Sequence, residues 1–553
     1  MDAKVTSNLF QLCQADYRVR RYIADCLKFR AESCLCKCCG SNDAFQMAFC
    51  YKIGFGIERN EEQAMIWLEK SERKDIEDEM ELARSETGRL YWNDRITLLI
   101  GDGHLDILDY VNEYRKTKPL EIIESEYIRE IRDMKKGLGE SHTIVFVLKG
   151  ILASIYHGKG DFKRSEGLRT ELWAELNSNP LYGPEHLTTL DALGNLSAEL
   201  HYQGKYQEAE KTSRQALEGS EKVLGREHPG TMTTASILAS VLQYQGKYQE
   251  AEDMERRVLE GREKSLGKGH SSTLVTVSNL ALVLRDQGKY REAEEMNRRA
   301  LEGREKVLGK GHPDTLGSFC NQVAILESQG KYEAAESMAR TILEEAEKAL
   351  GSEHPSTLTA INNLGLMLRH QGKYIEAEVM YRRALEGREN MLGKEHSSTL
   401  ATVNNLAVVL RNQGIYKAAE EMSQRALEGN EKLLGEEHPS TLSTTSNLAL
   451  VYECQGKYEA AEEMYRRALK GFEKALGEEH PGTLTIVSNL AMLLENQGKY
   501  EAAEEMYRRA LDGRERVLGK EHPKTRDTAN NLASVLQCQG KYKEADEVNR
   551  LAE

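Results

Sequence analysis

Cysteine is the one residue type in this chain that clusters closely enough to suggest chemistry. Residues Cys34 to Cys39 read Cys-Leu-Cys-Lys-Cys-Cys, and Cys26 and Cys50 lie nearby. Such thiolates can hold zinc or copper(I), although the spacing differs from the paired Cys-x-x-Cys of common zinc modules. Small apolar cysteines on buried helix faces explain the cluster equally well. We predict no bound metal and leave the role of the cluster open.

Histidine recurs at a fixed place instead of clustering. Ten of the 14 histidines, from His142 to His522, occupy the same position of a repeated segment. Stacked helices lie about 10 Å apart, so these imidazoles cannot converge on one metal. We interpret them as turn and stacking residues. The sequence also lacks the His-Glu-x-x-His, Gly-x-Ser-x-Gly and phosphate-loop motifs, and we predict no catalytic residues and no cofactor.

Asparagine forms a ladder with one member in nearly every repeat. A carboxamide both donates and accepts hydrogen bonds, so a row of them can hold a peptide backbone without reading its sequence. The alternative is a hydrogen bond between helices that sets the stacking of repeats, and one asparagine can serve both purposes. The predicted ladder consists of Asn195, Asn279, Asn321, Asn363, Asn405, Asn447, Asn489 and Asn531.

Six positions after most of these asparagines the residue is charged. Three of these charged residues, predicted to bind the peptide, are Arg285, Arg369 and Arg411, and the next two repeats carry Glu453 and Glu495. This order favours a peptide that is acidic near its centre and basic toward one end. The alternative is a solvated charged edge without a ligand. Three positions after each asparagine the residue is mostly small or apolar, which predicts a floor for a Leu or Trp anchor.

A strict repeat must position all these residues. The tetrapeptide Gln-Gly-Lys-Tyr recurs down the chain, and only Ile415 breaks its Lys position. From Gly204 to Gly540 is 336 residues, which is eight steps of 42 without insertion or deletion. A fixed period in this range indicates a solenoid. Each copy shows two amphipathic helices, with Gly393 a predicted C-cap and Thr399 a predicted N-cap.

The repeat resembles the tetratricopeptide repeat, stretched from its usual length to 42 residues. The motifs Asn-Asn-Leu-Ala (Asn404 to Ala407), Gln-Gly-Lys-Tyr and Leu-Gly-Lys-Glu-His-Pro (Leu518 to Pro523) resemble those of kinesin light chains. The resemblance implies an all-α, right-handed α-solenoid of about ten helix-turn-helix repeats over residues 119–553, regular from about residue 186. It also implies that the first helices line a concave groove for an extended peptide or a partner helix.

Residues 1–118 differ from the repeats. Ala48 to Ser71 resembles a SEL-like repeat, a shorter relative of the tetratricopeptide unit. We therefore expect a divergent helical N-terminal cap there, because repeat arrays need polar ends. The charged stretch Glu69 to Glu86 is too short for the coiled coil of a kinesin light chain. We expect the groove but not the motor partnership.

Composition limits the partners. The formal net charge is −14 and the sequence pI is about 5.7, which argues against binding to nucleic acid or anionic membranes. The N-terminus has no signal-peptide character, no long apolar span occurs, and we expect a cytoplasmic protein. Leu551 lies on an unpaired repeat face, which predicts that the C-terminal repeat frays or is covered by a partner or a second copy.

The sequence thus predicts a protein–protein interaction scaffold that binds an extended peptide or partner helix in an asparagine-lined groove. Two alternatives stay open. The chain is the sensor or regulatory arm of a signalling system that recognises a ligand or self-associates, or it is an enzyme with an active site in the concave face. The copies that break the pattern, notably at Gln322, are where such a site would be sought.

Overall fold

The computed structural model describes residues 51, 60–71, 120–141 and 143–552, and the regular structure there is entirely α-helical. The predicted all-α class and the succession of helix-turn-helix repeats are confirmed. The described helices are α1 Glu61–Ser71, α2 Leu120–Leu138, α3 Thr143–Gly158, α4 Phe162–Ser178, α5 Leu187–Tyr202, α6 Tyr206–Leu224, α7 Pro229–Tyr244, α8 Tyr248–Leu266, α9 Ser271–Asp286, α10 Tyr290–Leu308, α11 Pro313–Ser328, α12 Tyr332–Leu350, α13 Pro355–His370, α14 Tyr374–Leu392, α15 Ser397–Asn412, α16 Tyr416–Leu434, α17 Pro439–Cys454, α18 Tyr458–Leu476, α19 Pro481–Asn496, α20 Tyr500–Val517, α21 Pro523–Cys538 and α22 Tyr542–Ala552.

The chain divides into two compact units, Met1–Leu196 and Ser197–Glu553. In the first unit α3 packs against both α2 and α4. Lys149 of α3 is buried, and its ammonium lies 2.9 Å from Glu171 and 2.6 Å from Glu175 of α4. These bonds compensate for the loss of hydration. Of the SEL-like segment Ala48 to Ser71, only Tyr51, Asn60 and α1 are among the described residues, and the cysteine cluster at Cys34 to Cys39 lies outside them.

Each regular repeat of the second unit begins at a histidine. His396 is the N-cap of α15, where its Nδ1 accepts a hydrogen bond from the Ser398 amide at 3.2 Å. The prediction that Thr399 caps this helix is wrong, because its hydroxyl donates instead to the Gly393 carbonyl at 2.9 Å. The interpretation of the recurrent histidines as turn residues is confirmed. Gly393 has φ of 89° and is the C-cap of α14, as predicted.

The Gln-Gly-Lys-Tyr motif joins one repeat to the repeat before it. Gln371 donates from Nε2 to the Tyr332 carbonyl at 3.1 Å and to Glu336 at 2.8 Å. The Lys373 ammonium bonds the same carboxylate at 2.8 Å. Gly372, with φ of 74°, permits the tight turn between the two helices. The motif recurs because each copy must make these bonds again.

First helices form the inner wall of the array in the second unit. Those of consecutive repeats contact each other directly, as α11 does with α13 and α15 with α17. Second helices are linked on the opposite side by long side chains, for example Arg425 of α16 and Glu389 of α14 at 2.5 Å. Closely spaced helices lie on the inside of a curved stack. The first helices are therefore positioned to line a groove.

The second unit curves until residues 236 positions apart come into contact. His438 Nε2 lies 2.9 Å from the Tyr202 carbonyl oxygen, and His480 Nε2 lies 2.8 Å from that of Tyr244. Nδ1 of each histidine accepts its N-cap bond, so Nε2 carries the proton and donates. A methyl group on Gly204 would lie 2.4 Å from Pro439 Cδ. Only glycine allows this approach.

Candidate functional site

The asparagine ladder takes part in the stacking of first helices. Asn405 Nδ2 donates to Asn362 Oδ1 at 3.3 Å, and Asn447 Nδ2 donates to Asn404 Oδ1 at 3.1 Å, each across to the preceding repeat. This is the stacking bond considered above. Each carboxamide nitrogen has a second hydrogen and each oxygen two lone pairs, so the bond leaves capacity for a ligand.

The members of the ladder differ in their exposure. Asn195 and Asn531 are exposed, and six are half-buried: Asn279, Asn321, Asn363, Asn405, Asn447 and Asn489. Asn195 belongs to the first unit, where it lines a cleft of about 230 Å³ with Arg169 and Ile151. Asn279 instead donates to Glu255 Oε1 at 3.4 Å. The ladder is thus interrupted in sequence at Ile237, and its members also differ in their hydrogen bonds.

Some residues at the position six after the ladder asparagine also bond to the following repeat, among them Gln243, which follows Ile237 in the repeat that lacks the asparagine. Gln243 donates to Asp286 at 2.7 Å, and Asn496 donates to Glu453 at 2.8 Å. Arg285, predicted to bind the peptide, is held on its own helix by Asp286, which accepts from its Nε at 2.8 Å and Nη2 at 2.6 Å. This neighbouring carboxylate already neutralises Arg285, which weakens it as an anion-binding residue.

Arg369 and Arg411 lack such a carboxylate. Arg411 donates from Nε and Nη2 to the neutral Asn412 side chain, and Arg369 Nη2 lies 3.1 Å from His370 Nε2. Arg369 Nε and Arg411 Nη1 are buried and find no hydrogen-bond partner within the described part of the chain. A buried donor without a partner costs about 1–3 kcal/mol. These two nitrogens therefore retain donor capacity that the described residues do not use.

Tyr381 of α14 adds a third donor beside them. Its side chain is completely buried, and its hydroxyl has no partner among the described residues. At the corresponding position, Tyr465 donates to Glu453 at 3.4 Å and Tyr507 donates to Glu495 at 3.3 Å. Both acceptors precede their tyrosine by 12 residues, and the residue 12 before Tyr381 is Arg369. An arginine cannot accept the hydrogen bond, and the hydroxyl is left without one.

The charges of this region act on one another. Burial raises the pKa of Tyr381, while Arg369 lowers it and Glu327 raises it. Burial lowers the pKa of Arg411, and the like charge of Arg369 lowers it further. The carboxylate of nearby Glu453 has the opposite effect and raises the pKa of Arg411. The guanidinium groups thus repel each other in a partly dehydrated setting. An anion between them would relieve both effects. We call Arg369, Arg411 and Tyr381 the donor cluster.

Of the donor cluster, Arg369 and Arg411 were predicted from the sequence as peptide-binding residues, and Tyr381 was not; their role stays a prediction. A sequence signal for Tyr381 exists. In two repeats the tyrosine follows a glutamate by 12 residues, whereas Tyr381 follows Arg369 by 12 residues. Gln322, considered as a sign of chemistry, has a structural partner instead. It is buried and accepts from Asn297 Nδ2 at 3.0 Å, and Asn297 also bonds the Ser318 carbonyl at 3.0 Å. The two polar residues bond each other across the helix pair, and Asn297 Oδ1 has no partner among the described residues.

A metal site is not found in the described part of the chain, where no three His, Cys, Asp or Glu side chains converge. The same residues include no helix that is long and apolar enough to cross a membrane.

Comparison with known protein families identifies the class. The tetratricopeptide repeat model matches residues 188–264, 317–390, 398–474, 461–515 and 482–552, and a second model of the same repeat matches residues 273–314. The first of these covers more than half of the chain. The chain belongs to the tetratricopeptide repeat family, whose members generally mediate protein–protein interaction.

Solved structures with similar repeats include a protein of Podosopora anserina described as a kinesin light chain with nearly identical TPR-like repeats, at 25% identity. It covers 37% of this chain and 96% of its own, with a TM-score of 0.33. BtubC (BKLC) of P. vanneervenii is 24% identical over 42% of this chain and 92% of its own, with a TM-score of 0.34.

A Rap protein complexed with Competence and Sporulation Factor is 14% identical over 67% of this chain and 98% of its own, with a TM-score of 0.43. TM-scores this low add nothing to the argument on function. No sequence among the curated proteins matches the chain.

Proposed function

We propose that the chain is an interaction scaffold that binds an extended acidic peptide of a partner protein along its first helices. The donor cluster is the observation that carries this proposal. Three buried donors on neighbouring helices lack acceptors among the described residues, and two of them are cationic. A carboxylate side chain of the peptide supplies up to four acceptor sites and the opposite charge. The membership of the chain in an interaction family supports the same conclusion.

Binding energy at this point comes from groups that are already dehydrated. A hydrogen bond to a charged group contributes about 1.5–3 kcal/mol, and here no water must be removed from Tyr381. Arg411 is held in place by Asn412, so little of its side-chain entropy is lost on binding. A carboxylate is thus the expected anchor, located between α13 and α15.

Neighbouring residues supply the remaining contacts. Asn405 and Asn447 keep one amide hydrogen and lone pairs after the stacking bond, and these suit the backbone of an extended peptide. Leu366 and Leu450 are half-buried on the same set of first helices and offer apolar surface for a flanking anchor. The apolar surface that the sequence pattern predicts for the groove is smaller than expected, because Val408 is only 7% exposed and offers little area to a ligand.

A peptide-display screen on the full chain tests the proposal. The test variant carries Arg369→Gln and Arg411→Gln, which remove the two charges and keep polar side chains. The matched control carries Arg425→Gln and Arg467→Gln, which remove two arginines paired with Glu389 and Glu431 on the opposite side. We expect the wild type and the control to select peptides enriched in Asp or Glu, and the test variant to bind them at least about tenfold more weakly.

Two results would contradict the proposal. One is selection of linear peptides that bind the test variant as tightly as the wild type. The other is a folded wild-type protein that selects no linear peptide at all. Circular dichroism of each variant separates loss of binding from loss of structure.

A further inference from the structure

Two complementary edges run along the array of the second unit. The glycine edge consists of the turns between the first and second helices of each repeat, from Gly204 to Gly540. The histidine edge consists of the turns between repeats, from His228 to His522. Within the chain, His438, His480 and His522 of one edge approach Gly204, Gly246 and Gly288 of the other. The second unit therefore contains an interface that is repeated three times at a fixed offset.

Beyond Gly330, whose turn shares a pocket with Pro523, the glycine edge is uncovered by the residues that the structure describes. A methyl group placed on Gly204, Gly246 or Gly288 would lie 2.4–3.1 Å from a histidine or proline. A methyl group placed on the turn glycines that follow them along the edge would meet no atom within 4 Å. The uncovered glycines are Gly372, Gly414, Gly456, Gly498 and Gly540. The same glycine turn thus contacts a turn of the histidine edge in some repeats and contacts no other turn in the later repeats.

An apolar patch lies beside the uncovered turns at Gly372 and Gly414. Ile375 is 76% exposed, Val379 is 54% exposed and Ile415 is 45% exposed. Every other regular repeat has a polar residue at the positions of Ile375 and Val379, and lysine at that of Ile415. Three departures from the repeat therefore put aliphatic side chains on one stretch of exposed edge. Such a patch marks an interaction surface.

The histidine edge of the early repeats offers a matching surface. His228 and Pro229 are exposed, as are the aliphatic residues at the ends of second helices, Val223 and Val307. The turns at His228, His312 and His354 have the same His-Pro sequence as the three turns that dock within the chain, whereas serine follows His270 and His396. One molecule thus carries an unused copy of each half of an interface that it already forms internally.

We propose that the uncovered glycine edge binds the histidine edge of a second copy of this chain, so that copies associate head to tail. Each His-Pro turn of one copy seats on a glycine turn of the next, with the histidine Nε2 donating to the carbonyl two residues before that glycine. Ile375, Val379 and Ile415 pack against the aliphatic ends of the partner's second helices. The two surfaces differ, so the contact does not close on itself and chains extend.

The test restores the repeat pattern on the edge. The variant Ile375→Gln, Val379→Glu and Ile415→Lys introduces the residue types that other repeats use at these positions. The new lysine side chain would be placed to pair with Glu378, as Lys373 pairs with Glu336 one repeat earlier. The fold of the variant is therefore expected to be retained. The control is Glu386→Gln with Glu428→Gln, two exposed positions within α14 and α16 that lie away from the two edges.

Light scattering across a concentration series gives the readout. We expect the wild type and the control to rise above the single-chain mass of 62.5 kDa in whole-chain steps that pass beyond a dimer. The edge variant should associate at least about tenfold more weakly, because three aliphatic side chains no longer contribute to the contact. Wild-type protein that keeps the single-chain mass throughout would overturn the proposal, as would an edge variant that associates as strongly as the wild type. Association that stops at a dimer would overturn the head-to-tail arrangement.

Discussion

Three repeats can be compared at the same buried position: the repeat formed by α13 and α14, and the two repeats formed by α17 to α20. The first helix carries an arginine at this position in the earlier repeat and a glutamate in the two later repeats. All three place a tyrosine in the middle of the second helix, at Tyr381, Tyr465 and Tyr507. In the later repeats its hydroxyl donates to a glutamate of the first helix. In the earlier repeat the glutamate is replaced by Arg369, and both groups retain a donor without an acceptor among the described residues. The same pair of positions is therefore hydrogen-bonded within the two later repeats, and in the earlier repeat the tyrosine and the arginine make no such bond to each other.

The difference separates residues that serve the fold from residues that remain available to a ligand. Glu453 is fixed by Asn496 as well as by Tyr465, and burial raises its pKa despite these bonds. A polar group that is satisfied internally gives a partner little to bind. A group left unsatisfied by the fold lowers stability and gains most when a ligand supplies the missing acceptor. The regularity of the repeat makes the exceptions the informative positions.

The largest expected effect on peptide binding comes from giving the repeat of α13 and α14 the glutamate that the later repeats carry. Arg369→Glu gives Tyr381 the acceptor that its counterparts have and inverts the charge beside Arg411. We expect the affinity for an acidic peptide to fall about a thousandfold, because a charge-assisted bond is lost and a repulsion is introduced. Fluorescence anisotropy with a labelled peptide from the display screen measures this. Glu453→Lys, at the satisfied site, should leave binding of the same peptide within about tenfold of the wild type.

A smaller binding loss for Arg369→Glu than for Glu453→Lys would contradict the assignment of the donor cluster. Thermal unfolding is the companion measurement, because Arg369→Glu should not destabilise the chain. The exchange removes a buried guanidinium without a full set of partners and adds a hydrogen bond.

The same position of the second helix holds a carboxyl group in an earlier repeat. Glu255 is 1% exposed, its Oε2 has no partner in the described part of the chain, and Asn279 reaches its Oε1 at 3.4 Å. Burial raises its pKa to about 8, against weaker opposing effects of Asn279 and Arg262. The folded protein therefore binds the carboxyl proton more tightly than the unfolded chain does.

Glu255→Gln is expected to change the pH dependence of stability. Between pH 4.5 and about 8 the unfolded chain ionises at this residue while the folded protein stays protonated, so wild-type stability falls as pH rises. The amide does not titrate. We expect little difference between the proteins at pH 4.5 and an advantage for the variant of about 4 kcal/mol at pH 8, measured by urea unfolding.

Glu250→Gln, an exposed carboxyl of the same helix, provides the control for Glu255→Gln. A stability difference between Glu255→Gln and the wild type that does not grow with pH would show that the carboxyl is ionised in the folded protein.

Much of the fold was predictable because it follows from a period. The 42-residue spacing, the glycine turns and the recurrent histidines fix the helices, since each copy repeats the same local bonds. Thr399 was misassigned because a threonine near a helix start resembles an N-cap, whereas histidine occupies that place here. The caps of single helices depend on backbone direction, which residue type alone does not determine.

The candidate site was predictable only in part. Arg369 and Arg411 were singled out by their place in the repeat, and Arg285 was grouped with them. The structure separates the three because Asp286 lies next to Arg285, whereas Asn412 follows Arg411. Tyr381 lies on a different helix, and its lack of an acceptor is visible only once the helices are packed. The contacts between residues 236 apart were likewise beyond prediction, because they depend on the curvature accumulated over more than five repeats.

The smallest expected effect tests the comparison at the hydroxyl itself. Tyr465→Phe leaves Glu453 without one of its donors, and we expect a loss of about 1 kcal/mol in the free energy of unfolding. Tyr381→Phe removes a hydroxyl that has no acceptor among the described residues, so stability should stay the same or rise by up to about 1 kcal/mol. Both changes delete the same atom from equivalent, buried rings, which makes each the control of the other in urea unfolding. Equal losses in the two variants would mean that the Tyr381 hydroxyl is bonded in solution, and the donor cluster would then lack its third member.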